Sequence, residues 1–264
     1  MWALIAGAGG LPAALVDAAP ERPLICALEG MGPDTLDVDV TFRLEQLGSL
    51  LADLKVRGVT EVCFAGAISR PKIDPVLIDA ATMPLVPVIQ KALTSGDDGA
   101  LRAVISVFEH SGFTMRGAHE IAPNLLLSDG CPTVAQPDAE AQKDAERGAA
   151  IVAAMAAVDV GQACAVHRQQ ALAIETILGT DWMLTSLATR TDGSGGILYK
   201  APKPGQDHRA DLPTIGPATV QAAAQAGLEG IVIQAGGVIV LDQANVLSEC
   251  NRLGLFLWVR EAAI

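Results

Sequence analysis

The stretch Lys200-Ala-Pro-Lys-Pro-Gly-Gln-Asp-His-Arg-Ala-Asp-Leu-Pro-Thr-Ile-Gly-Pro-Ala-Thr219 gathers the residue types that chemistry on phosphates needs. Lys200, Lys203 and Arg209 are cations suited to phosphate oxygens, and Asp207 and Asp211 offer the hard oxygen ligands that Mg²⁺ takes. Cations and carboxylates fixed in one loop are what metal-assisted phosphoryl chemistry requires. The prolines exclude a helix or a central strand, so the segment is a loop. A solvated linker is the plain alternative. Against it stand charges of alternating sign, no repetition, and a strand-like run, Gly196 to Lys200, that leads straight in.

Something must hold that loop and face it with a substrate. Residues 2–6 form a continuous apolar run, followed by Gly7-Ala-Gly9-Gly10-Leu11-Pro12 and a helical pattern from Ala13 to Ala19. Strand, glycine turn and helix is the order that cradles a nucleotide phosphate on backbone N–H groups, although a tight turn without a ligand reads equally well. Pro12 replaces the third glycine of the dinucleotide fingerprint, which disfavours a nicotinamide cofactor. A second strand is expected at Pro23–Leu28, a helix over 44–54 and a third strand at Val62–Ile68. The third strand runs through Gly66 and Ala67 into Ser69-Arg70-Pro71-Lys72, a basic turn at the end of a strand where open sheets bind ligands, or a plain surface turn. One or two helices fill 73–94. Asp97 and Asp98 either cap the next helix, which runs to about His110, or hold a metal or a substrate hydroxyl.

Ser, Asp, Gly, Pro and Thr dominate from Leu127 to Gln142, which places a domain boundary there. The expected division is a Rossmann-like, nucleotide-binding domain over 1–130, a linker over 131–142 and a catalytic α/β domain over 143–264. The alanine-rich helix 144–158 suits close packing or a partner subunit in a homodimer. Strands follow at 162–167 and 171–174. Glu175 is expected to face outward, and Thr180-Asp181 to cap a helix over 182–187, with a functional role kept open by their nearness to the basic loop. A helix at 219–226, strands at 230–235 and 238–241, a helix at 246–253 and a strand at 255–259 complete an α/β chain of two domains, with the ligand site between them.

Composition narrows the classes. The 264 residues carry a formal net charge of −12, which argues against nucleic acid as a partner. Half the residues are apolar and the mean hydropathy is +0.37, yet no apolar run reaches the roughly 18 residues of a membrane span. The first residues lack a basic, apolar secretion signal, so a cytoplasmic protein able to touch a membrane is expected. Five cysteines without a C-x-x-C pair read as reduced thiols, buried where they sit in apolar runs.

Gly7-Ala-Gly-Gly-Leu-Pro12, Gly66-Ala-Ile-Ser-Arg-Pro71, Gly96-Asp-Asp98, Asp159-Val-Gly-Gln162, Glu175 with Gly179-Thr-Asp181, and Lys203-Pro-Gly-Gln-Asp-x-Arg209-x-Asp-x-Pro213 recur in the order of a known family. By these motifs the chain resembles, along its whole length, the UDP-2,3-diacylglucosamine pyrophosphatases of the LpxI type. The resemblance implies hydrolysis of UDP-2,3-diacylglucosamine to UMP and lipid X in lipid A synthesis, with Mg²⁺, at the cytoplasmic side of the inner membrane. It implies that Gly7, Gly9, Gly10, Leu11, Gly66, Ala67 and Arg70 meet the UMP part, with Asp98 near the substrate. Asp181, Lys200, Lys203, Gln206, Asp207, Arg209 and Asp211 would surround the pyrophosphate and the metal, with Asp207 and Asp211 as ligands and Asp211 the most sensitive position, and Thr180, Pro213 and Thr214 would bind substrate. Leu178 replaces a usual acidic residue, and Tyr199 a usual valine. A noncatalytic nucleotide-sugar-binding or scaffold protein is the competing expectation.

Overall fold

A computed structural model describes residues 1–69, 71–94, 96–191, 193–209 and 212–261, with Asp97 and Asp98 by backbone alone. The chain divides into two compact units. The first is Met1–Pro123 together with the described residues of Asp207–Asp211, and the second is Asn124–Gln206 with the described residues of Leu212–Ile264.

The first unit is built on β1 (Trp2–Ala6), α1 (Leu11–Ala18), β2 (Leu24–Leu28), β3 (Val40–Phe42), α2 (Leu47–Val56), β4 (Glu61–Ala65), α3 (Val86–Thr94), α4 (Asp97–His110), β5 (Thr114–Arg116) and the single turn α5 (Ala118–Ile121). Its strands lie in the order β3-β2-β1-β4-β5 and every pair is parallel. That is the Rossmann order, in which the direction of winding reverses between β1 and β4. Ala3, Leu4, Ile5 and Ala6 are almost wholly buried, as expected of a parallel strand covered on both faces. Leu47, Leu50, Leu51 and Leu54 of α2 and Phe108 of α4 pack with β1 in one apolar cluster. The short edge strand β3 lies inside a segment whose acidic composition reads as a connection. Phe42 enters the core there, while Asp39 just before it accepts from the Ile25 amide at 2.8 Å and pairs with Arg22.

The second unit contains α6 (Ala139–Ala156), β6 (Ala163–His167), β7 (Gln170–Ile174), α7 (Gly179–Leu187), β8 (Ile197–Lys200), β9 (Thr214–Ile215), α8 (Pro217–Gln225), β10 (Gly230–Gln234), β11 (Ile239–Val240), α9 (Gln243–Leu253) and β12 (Phe256–Arg260). Its main sheet runs β12-β10-β8-β6-β7, parallel across the first three and antiparallel at β6 and β7. β9 and β11 form a separate parallel pair. Asp138 caps α6 by accepting from the Ala141 amide at 2.8 Å. The buried face of α6 is Ala141, Ala145, Gly148, Val152 and Met155, turned to its own sheet, while Ala150, Ala153 and Ala154 are exposed. Gly148 has a reason of shape: a Cβ there would lie 2.6 Å from Cβ of Tyr199. The tyrosine on β8 thus fills space that the helix leaves.

Two expectations change. Residues 131–142 do not float between domains, because they are bonded into the second unit. Thr133 Oγ1 accepts from the Leu257 amide at 3.0 Å, the Val134 amide donates to Asn251 at 2.8 Å, and Gly130 bridges Val259. Helix α8 also begins at Pro217, two residues before the start expected at Thr219, with proline in the first turn where its missing N–H costs nothing.

Burial pushes the thiols of Cys26, Cys63 and Cys164 up to about 12 and that of Cys250 to about 11, which leaves almost no thiolate at neutral pH. Cys131 is the half-buried one of the five free cysteines. Titration of the native protein with a disulfide reagent should therefore give fast reaction at Cys131 alone, and at all five only in denaturant. Rapid labelling of Cys26 or Cys63 in the native state contradicts the packing described.

Candidate active site

In the first unit the candidate residues lie where the sheet reverses. β1 and β4 end side by side, with Ala6 opposite Ala65, and the chain beyond each is stitched to the other. The Gly7 amide donates to the Ala65 carbonyl at 2.8 Å, and Ala8 and Ala67 exchange two backbone hydrogen bonds of 2.9 Å. This approach permits no side chain at Gly7 or Gly66. A Cβ on Gly7 would sit 2.5 Å from the Ala67 carbonyl oxygen, and one on Gly66, whose φ is +90°, would sit 2.7 Å from the Gly7 carbonyl. Gly10 then occupies the N-cap of α1, so that Gly9, Gly10 and Leu11 lead into the positive end of a helix with Pro12 in its first turn. The glycines that sequence assigns to the nucleotide therefore meet at the switch point of the sheet. Arg70 lies outside the described residues, and Asp98 stands in the first turn of α4.

Asp207 and Arg209 group with this same unit. Asp207 Oδ1 accepts from both the amide and Nε of Arg209 at 3.0 Å, and its Oδ2 accepts from Nη2 at 2.8 Å. The other arm of the guanidinium donates to Glu109 at 2.8 Å, a partner that no motif pointed to. Arg209 beside Asp207 holds that carboxyl below its ordinary value of 3.8. His208 sets its ring edge-on to His119, with centroids 6.3 Å apart.

The second unit holds a buried polar chain of its own. Lys200, at the end of β8 and only 6% exposed, donates from Nζ to Thr180 Oγ1 at 2.8 Å and to the Thr214 carbonyl at 3.1 Å. Thr180 Oγ1 donates in turn to Glu175, whose other oxygen accepts from the Gln162 amide at 2.7 Å. Glu175 is 7% exposed, not the outward-facing carboxylate expected, because burial beside these donors satisfies both its oxygens. Thr180 and Asp181 lie inside the first turn of α7, whose N-cap position is Leu178 without a side-chain bond, so Thr180 is occupied by Glu175 and Lys200 and does not cap.

Beyond β8, Lys203-Pro-Gly-Gln206 forms a tight turn. The Gln206 amide donates to the Lys203 carbonyl, the Lys203 amide to Gln206 Oε1, both at 3.0 Å, and Gly205 takes φ +76°. Gln206 therefore shapes the turn with its amide oxygen. Lys203 Nζ pairs with Asp159, a non-glycine residue at φ +53° just past α6. Asp159 belongs to a recognised motif but was not assigned to the site; an aspartate and glycine straight after an alanine-rich helix were the available signal. Pro213 gives its carbonyl to the Ile239 amide at 2.8 Å, and Thr214 lies in β9. Asp211, the position expected to be most sensitive, lies outside the described residues.

The chain thus pairs a Rossmann-ordered α/β unit that carries a glycine crossover with a mixed-sheet α/β unit that carries buried and paired lysines. Residues 1–125 match the LpxI N-terminal domain and residues 128–258 the LpxI C-terminal domain, so the chain belongs to the LpxI family. It is 36% identical, over 96% of its length and 95% of the relative's, to the Caulobacter vibrioides protein named UDP-2,3-diacylglucosamine pyrophosphatase LpxI.

Two outcomes follow from this geometry. Gly66→Ala places a side chain on backbone that cannot move without parting β1 from β4, and should cost about 1–3 kcal/mol in urea denaturation. Unchanged stability contradicts the stitched crossover. Because the folded carboxyl of Asp207 titrates below its unfolded value, its pairing stabilises the protein fully above pH 5 or so and is lost as pH falls through the depressed value. Asp207→Asn should flatten the acid limb of the stability profile below about pH 4, and an acid limb identical to wild type argues against the pairing.

Proposed function

We propose that this chain hydrolyses the pyrophosphate of UDP-2,3-diacylglucosamine, releasing UMP and 2,3-diacylglucosamine 1-phosphate (lipid X), with Mg²⁺, as a step of lipid A synthesis. The observation that carries the reading is that Lys200, Lys203 and Arg209, three cations within ten residues of chain, are each held by acceptors of their own. Cleaving a pyrophosphate builds charge on non-bridging and leaving oxygens, and cations fixed before reaction stabilise that charge without reorganising. The nucleotide is assigned to the glycine crossover, where the backbone N–H groups at the start of α1 suit phosphate and bare backbone suits close approach.

The hard oxygen donors of the loop suit magnesium, which when bound neutralises phosphate charge and activates water. Their shares differ. Three of the four lone-pair positions of Asp207 already accept from Arg209, so Asp207 offers a metal one remaining position and acts chiefly by orienting the guanidinium. The larger part in holding the ion or activating water is assigned to Asp211. Lys200 is oriented by Thr180, which is itself fixed by Glu175, and Lys203 by Asp159. Thr214 serves through its carbonyl.

Two acyl chains on the substrate need apolar contacts, and Ile177, Leu178 and Trp182 are 87%, 57% and 53% exposed around the start of α7, next to Thr180. Among the described residues no helix is long and apolar enough to cross a membrane. The reading therefore includes a peripheral position at the inner membrane, where the acyl chains reside, and a homodimer through the exposed alanines of α6.

The test is UMP release from UDP-2,3-diacylglucosamine with Mg²⁺, with and without chelator, for wild type, Asp211→Ala and Lys203→Ala. Metal-dependent release, abolished in Asp211→Ala and lowered on the order of 10²- to 10³-fold in Lys203→Ala, is expected. Binding of the substrate without UMP release by the folded wild type overturns the reading in favour of a noncatalytic nucleotide-sugar-binding protein.

A further inference from the structure

A second cluster of ligating groups lies at the opposite end of β8 from Lys200. Glu140 and Asp144, one turn apart on α6, and His167, at the end of β6, bring one ligand atom each within 4.8 Å of one another. They line a cavity of about 220 Å³ that Glu229 and Asp138 also border, with Arg168, Ser194, Gly196 and Ile197. The register of the sheet separates it from the candidate active site, since β8 pairs Ile197 with Val166 at this end and Lys200 with Ala163 at the other.

Part of the cluster has an ordinary explanation. The β6–β7 hairpin turns through Arg168 and Gln169 at φ +49° and +60°, and Asp144 holds that turn by accepting from their amides at 3.1 and 2.5 Å. This accounts for one bond to each oxygen of Asp144, which is 1% exposed, and leaves a further lone pair on each. It does not account for His167. Nδ1 of His167 is buried without a hydrogen-bond partner, 4.0 Å from Glu140 Oε1. A buried polar atom left unmade costs about 1–3 kcal/mol. Nor does it account for like charges at i and i+4 on α6 facing further acid from Glu229, an arrangement that repels unless a cation joins it. The guanidinium of Arg168 is the nearby cation, with Nε 3.7 Å from Glu140 Oε1, and at 78% side-chain exposure it is free to swing into solvent.

We propose that Glu140, Asp144 and His167 Nδ1 form a binding site for a divalent transition-metal ion of the Zn²⁺ or Mn²⁺ type. One imidazole nitrogen with two carboxylates suits these ions, whereas Mg²⁺ prefers an all-oxygen shell. The ion would tie α6 to the β6–β7 hairpin and relieve both the orphaned nitrogen and the repulsion between the carboxylates. Its role is structural, because the ligands belong to the far end of β8 from Lys200 and Thr180.

Calorimetric titration of the chelator-treated protein with Zn²⁺ and with Mn²⁺, in saturating Mg²⁺ to fill all-oxygen sites, tests the proposal. One ion per chain is expected, with affinity lowered at least tenfold in His167→Gln and in Glu140→Gln but retained in Asp211→Ala, and with a melting temperature raised by several degrees on loading. Glu140 is exposed and its variant keeps the turn contacts of Asp144, so the test survives if His167→Gln folds poorly. Absence of Zn²⁺ and Mn²⁺ uptake, or uptake equal in wild type and Glu140→Gln, overturns the site.

Discussion

An ammonium group inside a protein is tolerated only when every hydrogen it carries has somewhere to go, and Lys200 imposes that condition on the second unit. Meeting it fixes Thr180 as an acceptor, which obliges the same hydroxyl to donate onward, and Glu175 receives that donation. Helix α7 is thereby positioned by a cation on the neighbouring strand instead of by a capping residue of its own. The Thr214 carbonyl is drawn into the arrangement too, so the chain entering β9 is set by the group that closes β8. One buried charge thus orders three separate stretches of sequence.

In the first unit a steric condition does comparable work. The crossover between β1 and β4 brings two backbones into contact where Gly7 and Gly66 tolerate no Cβ, and the side chains around it are as small as alanine. Such a surface is suited to a ligand recognised through phosphate and ribose edges. Arg209 adds a fixed positive charge to the same unit through the aspartate two residues before it and a glutamate on α4.

Much of this was legible in the residues. Continuous apolar runs marked β1, β2, β4, β6, β8 and β10 because strands covered on both faces need apolar side chains on both sides, and the glycine segments were visible because little else produces such spacing. What escaped depended on partners distant in sequence. Glu175 follows an apolar strand and so reads as solvent-facing; its burial is decided by Thr180 and by the amide of Gln162. Glu109 sits in an unremarkable helix and matters through a residue a hundred positions away. The segment 131–142 has the composition of a linker, yet Thr133, Val134 and Gly130 are bonded to α9 and β12. The antiparallel direction of β6 and β7 was hidden because Arg168-Gln169 is no turn dipeptide by composition.

That hairpin has a consequence for how the sequence can change over time. Its left-handed turn is enforced from α6, by a carboxylate that reads only backbone N–H groups. Residues 168 and 169 must still supply N–H groups and accept a left-handed φ, which excludes proline and disfavours β-branched residues, but their side chains are otherwise little specified, and the partner that fixes the turn is stored twenty-odd positions earlier, at Asp144. Changes in the turn that keep its amides and tolerate a left-handed φ should be silent, whereas a change at Asp144 leaves two non-glycine residues in a conformation that nothing else requires.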